Sequence, residues 1–208
     1  MRAQLENMLS LQDSMNTKVN PDWRAQNFAW YRAIWVECAE LLDHYGWKWW
    51  KKQQPDVEQV RLELIDIWHF GLSMVLADQP DPEARLAYLA KALADVTPGE
   101  AEPEIFRQQL EAFAGEVITH KRFSVSQFGA LLSAVGMSFD DLYTGYVGKN
   151  VLNFFRQDHG YKDGSYRKVW AGREDNEHLV EVVQTLDHTA PDFAEALYQA
   201  LAKRYTAG

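Results

Sequence analysis

Apolar residues recur along almost the whole chain at the three-to-four-residue interval of an α-helix, and convincing β-type alternation is almost absent. That property confines the fold to helices packed on helices. The periodic runs cover residues 3–15, 22–45, 56–78, 81–95, 103–120, 125–135, 139–157, 174–187 and 191–204. Their breaks hold the residues that start and stop helices. Pro21 and Asp22 open the second run and Gly46 ends it, while Pro55 and Asp56 open the third. The segment DQPDP at 78–82 divides the third run from the fourth, and Ser124 followed by Gln127 has the form of a capping box. There is no internal repeat, low-complexity tract or long linker. A length of 208 residues suits one domain, or one with an appended helical lobe, and a single all-α domain over 1–208 is expected.

Charge and cysteine content narrow the function. The formal net charge is −9, which argues against broad binding to nucleic acid or to an anionic membrane, since both need a positive field. A small polyanion remains compatible if metal ions and a local basic patch supply positive charge. The one cysteine, Cys38, excludes an intramolecular disulfide and a cysteine metal cluster, and it fits a reducing compartment. No long apolar run follows Arg2, so the N-terminus does not read as a secretory signal, and no stretch approaches the roughly 20 apolar residues of a membrane span. A cytoplasmic location is expected.

Four acids stand out. Glu37 and Glu40 lie in the second run, Glu63 and Asp66 in the third, each pair spaced i,i+3 and hence on one helical face. The short connection at 46–54 predicts an antiparallel hairpin. In such a hairpin, residues whose numbers share a sum lie at one height; Glu37 with Asp66 and Glu40 with Glu63 share the sum 103. Apolar neighbours turn both faces inward, Ile34, Trp35, Cys38 and Leu41 on one helix and Leu62, Ile65, Ile67 and Phe70 on the other. Paired acids are ordinarily solvated helix surface, but two mirrored pairs on adjacent apolar helices would repel strongly unless neutralised. Hard oxygen ligands suit Mg²⁺ or Mn²⁺, which keep positions open for substrate phosphates. The spacing leaves two chemistries open: metal-assisted phosphoryl transfer, or a di-iron carboxylate bundle. Asp66-x-x-His69 supplies half of the Glu-x-x-His pattern such a bundle wants, and the Glu37 helix offers no matching histidine.

A shift in composition marks residues 149–173. Lys149, Arg156, Lys162, Arg167, Lys168 and Arg173 face only Asp158 and Asp163 there, a surplus of four positive charges in an acidic chain. The stretch contains the least helical segment, HGYKDGSY at 159–166, and is a candidate anion site.

Glu37-x-x-Glu40 followed by Glu63-x-x-Asp66 resembles the metal signature of the all-α nucleoside triphosphate pyrophosphatases, and the wider pattern is similar to their dimeric deoxyuridine triphosphatase branch. The matching blocks are LQDSMN at 11–16, the stretch from Glu37 to Trp50, ELIDIWHF at 63–70, GKNVLNFFRQ at 148–157, GYKDGSY at 160–166 and EDN at 174–176. They run in order, and all of them together are far more specific than the acid signature alone. Residues 79–135 carry no matching motif and read as scaffold.

The resemblance implies a homodimeric enzyme that hydrolyses a deoxynucleoside triphosphate, dUTP above all, to the monophosphate and pyrophosphate, keeping uracil out of DNA. It implies Glu37, Glu40, Glu63 and Asp66 as Mg²⁺ ligands, with Glu37 also orienting the attacking water. Lys149, Asn153 and Arg156 fall within about 60° of one helical face at about 100° per residue, and Tyr161, Lys162, Tyr166 and Lys168 follow in the loop. These groups are implied as the phosphate-binding helix and loop of 148–176. Gln12 and Asn16, one helical turn apart, offer amides that suit a uracil edge and could be turned to read cytosine. Trp49 is expected to stack on the base, while Trp47 and Trp50 equally suit a plug for the hairpin end. His69 suits the sugar, a ligand's surroundings or the core. A sister enzyme for dCTP or other nucleotides, and a di-metal bundle without hydrolase activity, are the alternatives.

Overall fold

The structure, a computed structural model, describes residues 1–207 apart from Thr189 and Pro191. The described residues form nine α-helices and one minimal β-hairpin, the all-α class that the periodicity dictates. Backbone contacts divide the chain into two compact units, Met1–Tyr143 and Thr144–Gly208, each taken in turn.

The first unit holds α1 (Arg2–Val19), a 3₁₀ turn (Trp23–Gln26), α2 (Trp30–Tyr45), α3 (Val57–Asp78), α4 (Pro82–Leu93), α5 (Pro103–His120) and α6 (Val125–Ala134), and the boundary falls within α7 (Phe139–Asp158). The α3 helix is its spine. It packs against α2 most extensively and against α1 as well, so nearly every side chain from Val60 to Leu76 is buried. Its one glycine, Gly71, admits a close neighbour: a Cβ there would stand 2.5 Å from the Phe123 ring. Trp68 stacks on Phe128 at 5.1 Å and donates from Nε1 to the Met8 sulfur at 3.3 Å, tying α3 to α6 and α1.

The expected caps form. The Asp56 carboxylate accepts from the Gln59 N–H at the start of α3, Asp81 does the same for Glu83 and Ala84 at α4, and the Ser124 hydroxyl accepts from Gln127 N–H at α6. Gly46 ends α2 at φ 89°, which favours glycine. The run expected over 22–45 is instead two elements. Asn27 sits in the left-handed region at φ 51°, a conformation asparagine tolerates, and breaks the helix between the 3₁₀ turn and Trp30. Burial of Trp23 holds the break: its Nε1–H donates to Asp13 at 3.1 Å and its ring meets Trp30 edge-on.

In the second unit, α7 stops at Asp158, residues 159–164 run as turns with Gly160 and Gly164 at positive φ, and 165–168 are irregular. A hairpin of β1 (Val169–Trp170) and β2 (Arg173–Glu174) follows, with Ala171 and Gly172 both at positive φ in its two-residue turn. Then come α8 (Asp175–Thr185), opened by a Glu174/Glu177 capping box, and α9 (Phe193–Ala207). The start expected for the last helix at Pro191 lies outside the described residues. Trp170 is fully buried, stacked on His178 and packed against Phe155, with Leu179, Val182, Leu197 and Leu201 completing the core.

Candidate functional site

The hairpin of α2 and α3 brings acids together. Glu37, Glu63 and Asp66 each offer an oxygen lying within 4.8 Å of the others. Glu63 is buried and the other two are half-buried. The cost of that arrangement shows on Glu37, whose carboxyl is pushed up to about 8. Burial is the largest cause, followed by the charge of Asp66, a hydrogen bond and charge from Glu63, and the charge of Glu40. Three hard oxygens that repel in this way fit a divalent cation of the Mg²⁺ type. Glu40 stands outside the group. It is exposed on the α2 face shared with Trp35, Val36, Ala39 and Asp43, although its charge still reaches Glu37.

Glu37 and Asp66, one of the two pairs sharing the sum 103, do come together, but an i,i+3 step turns the side chain by about 60° on the helix, enough to leave one member of a pair at the edge of the buried face. His44 joins the site unexpectedly, with Nε2 3.5 Å from Glu63 Oε1. The signal was present: His44 lies seven residues, two helical turns, after Glu37.

A second cluster is built from α1 and α3. Gln12, Asn16, His69 and Ser73 are all buried. Gln12 Nε2 donates to Asn16 Oδ1 at 3.0 Å and to Ser73 Oγ at 3.1 Å, and Asn16 Nδ2 donates to Ser73 Oγ at 3.0 Å. His69 Nδ1 lies 2.9 Å from Gln12 Oε1. The two amides therefore do share a face, and His69 belongs with them. Sequence reasoning missed Ser73, a lone hydroxyl in an apolar run one turn after His69.

Trp49 is 90% exposed on the connection between α2 and α3, edge-on to Trp50, which in turn meets Trp47 edge-on. All three rings stand at the surface, so none plugs the hairpin end. Beside them the Gln53 Oε1 accepts from the backbone N–H groups of Trp47 and Lys48, and Arg107 donates twice to the Gly46 carbonyl.

The second unit realises the basic face of α7, and its donors close on acceptors of α8. The Arg156 guanidinium grips Asp175 with two bonds of 2.8 Å and donates to Asn153 Oδ1 at 3.2 Å. The Tyr166 hydroxyl donates to Asp175 at 2.8 Å, and Lys149 donates to Asn176 Oδ1 at 3.0 Å. Burial alone would raise the Asp175 carboxyl, but the bonds and charge of Arg156, with Tyr166 and Lys149, outweigh it and hold the pKa down. Burial and the bond to Asp175 raise the Tyr166 phenol. Tyr161, Lys162 and Lys168 are exposed, Tyr161 under the Arg156 guanidinium and Lys168 paired with Glu174 at 3.0 Å. Asp175 and Asn176 were given no role by sequence reasoning, though the EDN block contains both.

A helical fold whose central hairpin gathers three carboxylates, with two buried amides of α1 bonded to the same spine helix, defines a class: the all-α nucleoside triphosphate pyrophosphohydrolases. Within it, the family model for dUTPase matches residues 4–161, well over half of the chain, and the chain belongs to that family, whose activity is of the dUTP diphosphatase type. No curated protein matches the chain.

Proposed function

We propose that the chain hydrolyses dUTP, and dUDP beside it, to dUMP, with Mg²⁺ or in its place Mn²⁺ held by Glu37, Glu63 and Asp66 and with Glu40 as a fourth ligand. The observation that supports this reading is the Glu37 carboxyl, raised to about 8 by burial and by acids alone. Bound there, the cation would supply charge to offset the phosphate chain and would acidify a water. Glu37 would orient the attacking water. Gln12, Asn16 and His69 face the uracil edge and the sugar, and Trp49 stacks on the base.

Tyr161, Lys162 and Lys168 contact the phosphates. Lys149, Asn153, Arg156 and Tyr166 belong with them as substrate-side groups; Arg156 and Tyr166 also donate to Asp175, Lys149 donates to Asn176, and Asn153 accepts from Arg156. The exposed Trp35 and Val36 on α2 are apolar surface that a second copy would cover in a homodimer. Among the described residues no helix is long and apolar enough to cross a membrane, and a cytoplasmic location is part of the proposal.

Phosphate and pyrophosphate release from dUTP, dUDP and dCTP, each with Mg²⁺, Mn²⁺ or EDTA, tests the reading. We expect dUTP to exceed dCTP by at least about a hundredfold in kcat/KM, because a site built on hydrogen bonds leaves the wrong base unmatched. Equal hydrolysis of the two would overturn the base assignment, and turnover surviving exhaustive chelation would overturn the metal.

A further inference from the structure

The cluster of Gln12, Asn16, His69 and Ser73 has a logic that its four members do not reveal singly. An amide presents a donor at one end and an acceptor at the other, and a half-turn exchanges them. Gln12 and Asn16 are in direct contact at 3.0 Å, nitrogen to oxygen. Turning Asn16 alone would set nitrogen against nitrogen, and turning Gln12 alone would set oxygen against oxygen. Only two arrangements are self-consistent: the one observed, and the one with both amides turned. Neutral His69 adapts to either, because its Nδ1 can donate to an amide oxygen or accept from an amide nitrogen according to tautomer.

Ser73 distinguishes the two. Its hydroxyl has one proton and two lone pairs. In the observed arrangement the lone pairs accept from Gln12 Nε2 at 3.1 Å and Asn16 Nδ2 at 3.0 Å. The proton goes to the His69 carbonyl at 3.1 Å, with Asn16 Oδ1 the more distant acceptor at 3.4 Å. With both amides turned, two oxygens would face a hydroxyl that has one proton to give, and one buried acceptor would be left against another. Leaving a buried acceptor unmet is costly enough to settle the choice.

We propose that Ser73 sets the hydrogen-bond polarity of the base pocket: by orienting the Gln12 and Asn16 amides it fixes His69 as the Nδ1–H tautomer, so that Nε2 carries the lone pair. Ser73 is thus a positioning residue that acts on the ligand through His69. An acceptor at Nε2 suits a ring N–H such as N3–H of uracil and opposes the bare N3 of cytosine. This rests on the reading of the cluster as the base pocket; the tautomer itself is independent of that reading.

Two measurements separate the parts. Two-bond ¹H–¹⁵N correlation spectra of the intact protein at about pH 9, above the ordinary histidine range, report which His69 nitrogen holds the proton, with His69→Asn identifying the signal. The expected result is a proton on Nδ1 in the wild type, a mixture of tautomers in Ser73→Ala, and return to Nδ1–H in Ser73→Thr, which keeps the hydroxyl. A wild-type proton on Nε2, on both nitrogens or exchanging between them overturns the proposal without touching the assignment of activity.

Steady-state kinetics with dUTP and dCTP form the second arm. Ser73→Ala is expected to lower the dUTP-to-dCTP ratio of kcat/KM at least tenfold through KM, with kcat for dUTP little changed and Ser73→Thr restoring the ratio. Loss of kcat alone, with the ratio intact, would reduce Ser73 to a packing role and overturn the proposal. A fixed Nδ1–H tautomer in a protein that makes no distinction between the two nucleotides would instead sink the base-pocket reading.

Discussion

The two units each gather buried or half-buried charge, and they resolve it in opposite ways. Asp175 in the second unit is wholly buried yet holds its carboxyl below the ordinary range, because Arg156 grips both oxygens, Tyr166 adds a third donor and Lys149 lends charge. Glu37 in the first unit is less buried, yet its carboxyl rises to about 8, because every group that moves it after burial is another acid. A fold that can neutralise a buried carboxylate from its own side chains does so once and fails to do so at the other place. The Asp175 knot is satisfied from within the fold. The Glu37 cluster is where the proposed cation would supply the opposing charge.

The largest effects should break the comparison at the acid cluster. Neutralising an acid there removes charge that a cation needs, so Asp66→Asn and Glu63→Gln are expected to lower kcat by roughly two to three decades, the equivalent of several kcal/mol of charge stabilisation at about 1.4 kcal/mol per decade. The same variants should melt at or above the wild-type temperature in EDTA, because repulsion is relieved. Variants that lose activity and stability together would make the cluster structural. Arg156→Ala should lose stability as well as a proposed substrate contact. Leaving Asp175 buried without its guanidinium costs about 3–5 kcal/mol, read as a loss in urea unfolding, and a variant of unchanged stability would show the knot to be dispensable.

The hydrogen-ion dependence of stability gives a smaller effect, of opposite sign for the two clusters. Glu37 has a folded pKa above its unfolded value near 4.5, so its contribution is complete below about 4.5 and is lost as pH rises through about 8. Asp175 has a folded pKa below its unfolded value near 3.8, so its contribution is present above that value and is lost as pH falls through the folded one. The metal-free protein should therefore melt at lower temperature at pH 9 than at pH 6, with Glu37→Gln abolishing the difference. A wild-type melting temperature that rises over this interval would contradict the assignment.

How much of this was legible beforehand follows from what periodicity can see. Helix starts at Asp56 and Ser124 are local, since each side chain caps a backbone group three residues on, and they read directly. The break at Asn27 did not, because a single residue at positive φ leaves the apolar spacing on either side intact. The acid hairpin was legible because two helices in register need only arithmetic. The placement of Glu40 depends on the rotation of α2 about its axis, which spacing does not encode. Partners distant in sequence were the least visible. Ser73 meets Gln12 across 61 residues and Asp175 meets Arg156 across 19, and nothing in the chain between them announces the contact.

Cation binding by the acid cluster has a direct signature. A Glu37 carboxyl titrating near 8 is mostly protonated at pH 7, and a ligand that needs the carboxylate must displace that proton. Calorimetric titration with Mg²⁺ at pH 7, repeated in buffers of different ionisation enthalpy, counts the protons released on binding. The account predicts about one proton released per protein chain in the wild type, and none in Glu37→Gln. Binding without proton release, or release that persists in Glu37→Gln, would contradict it.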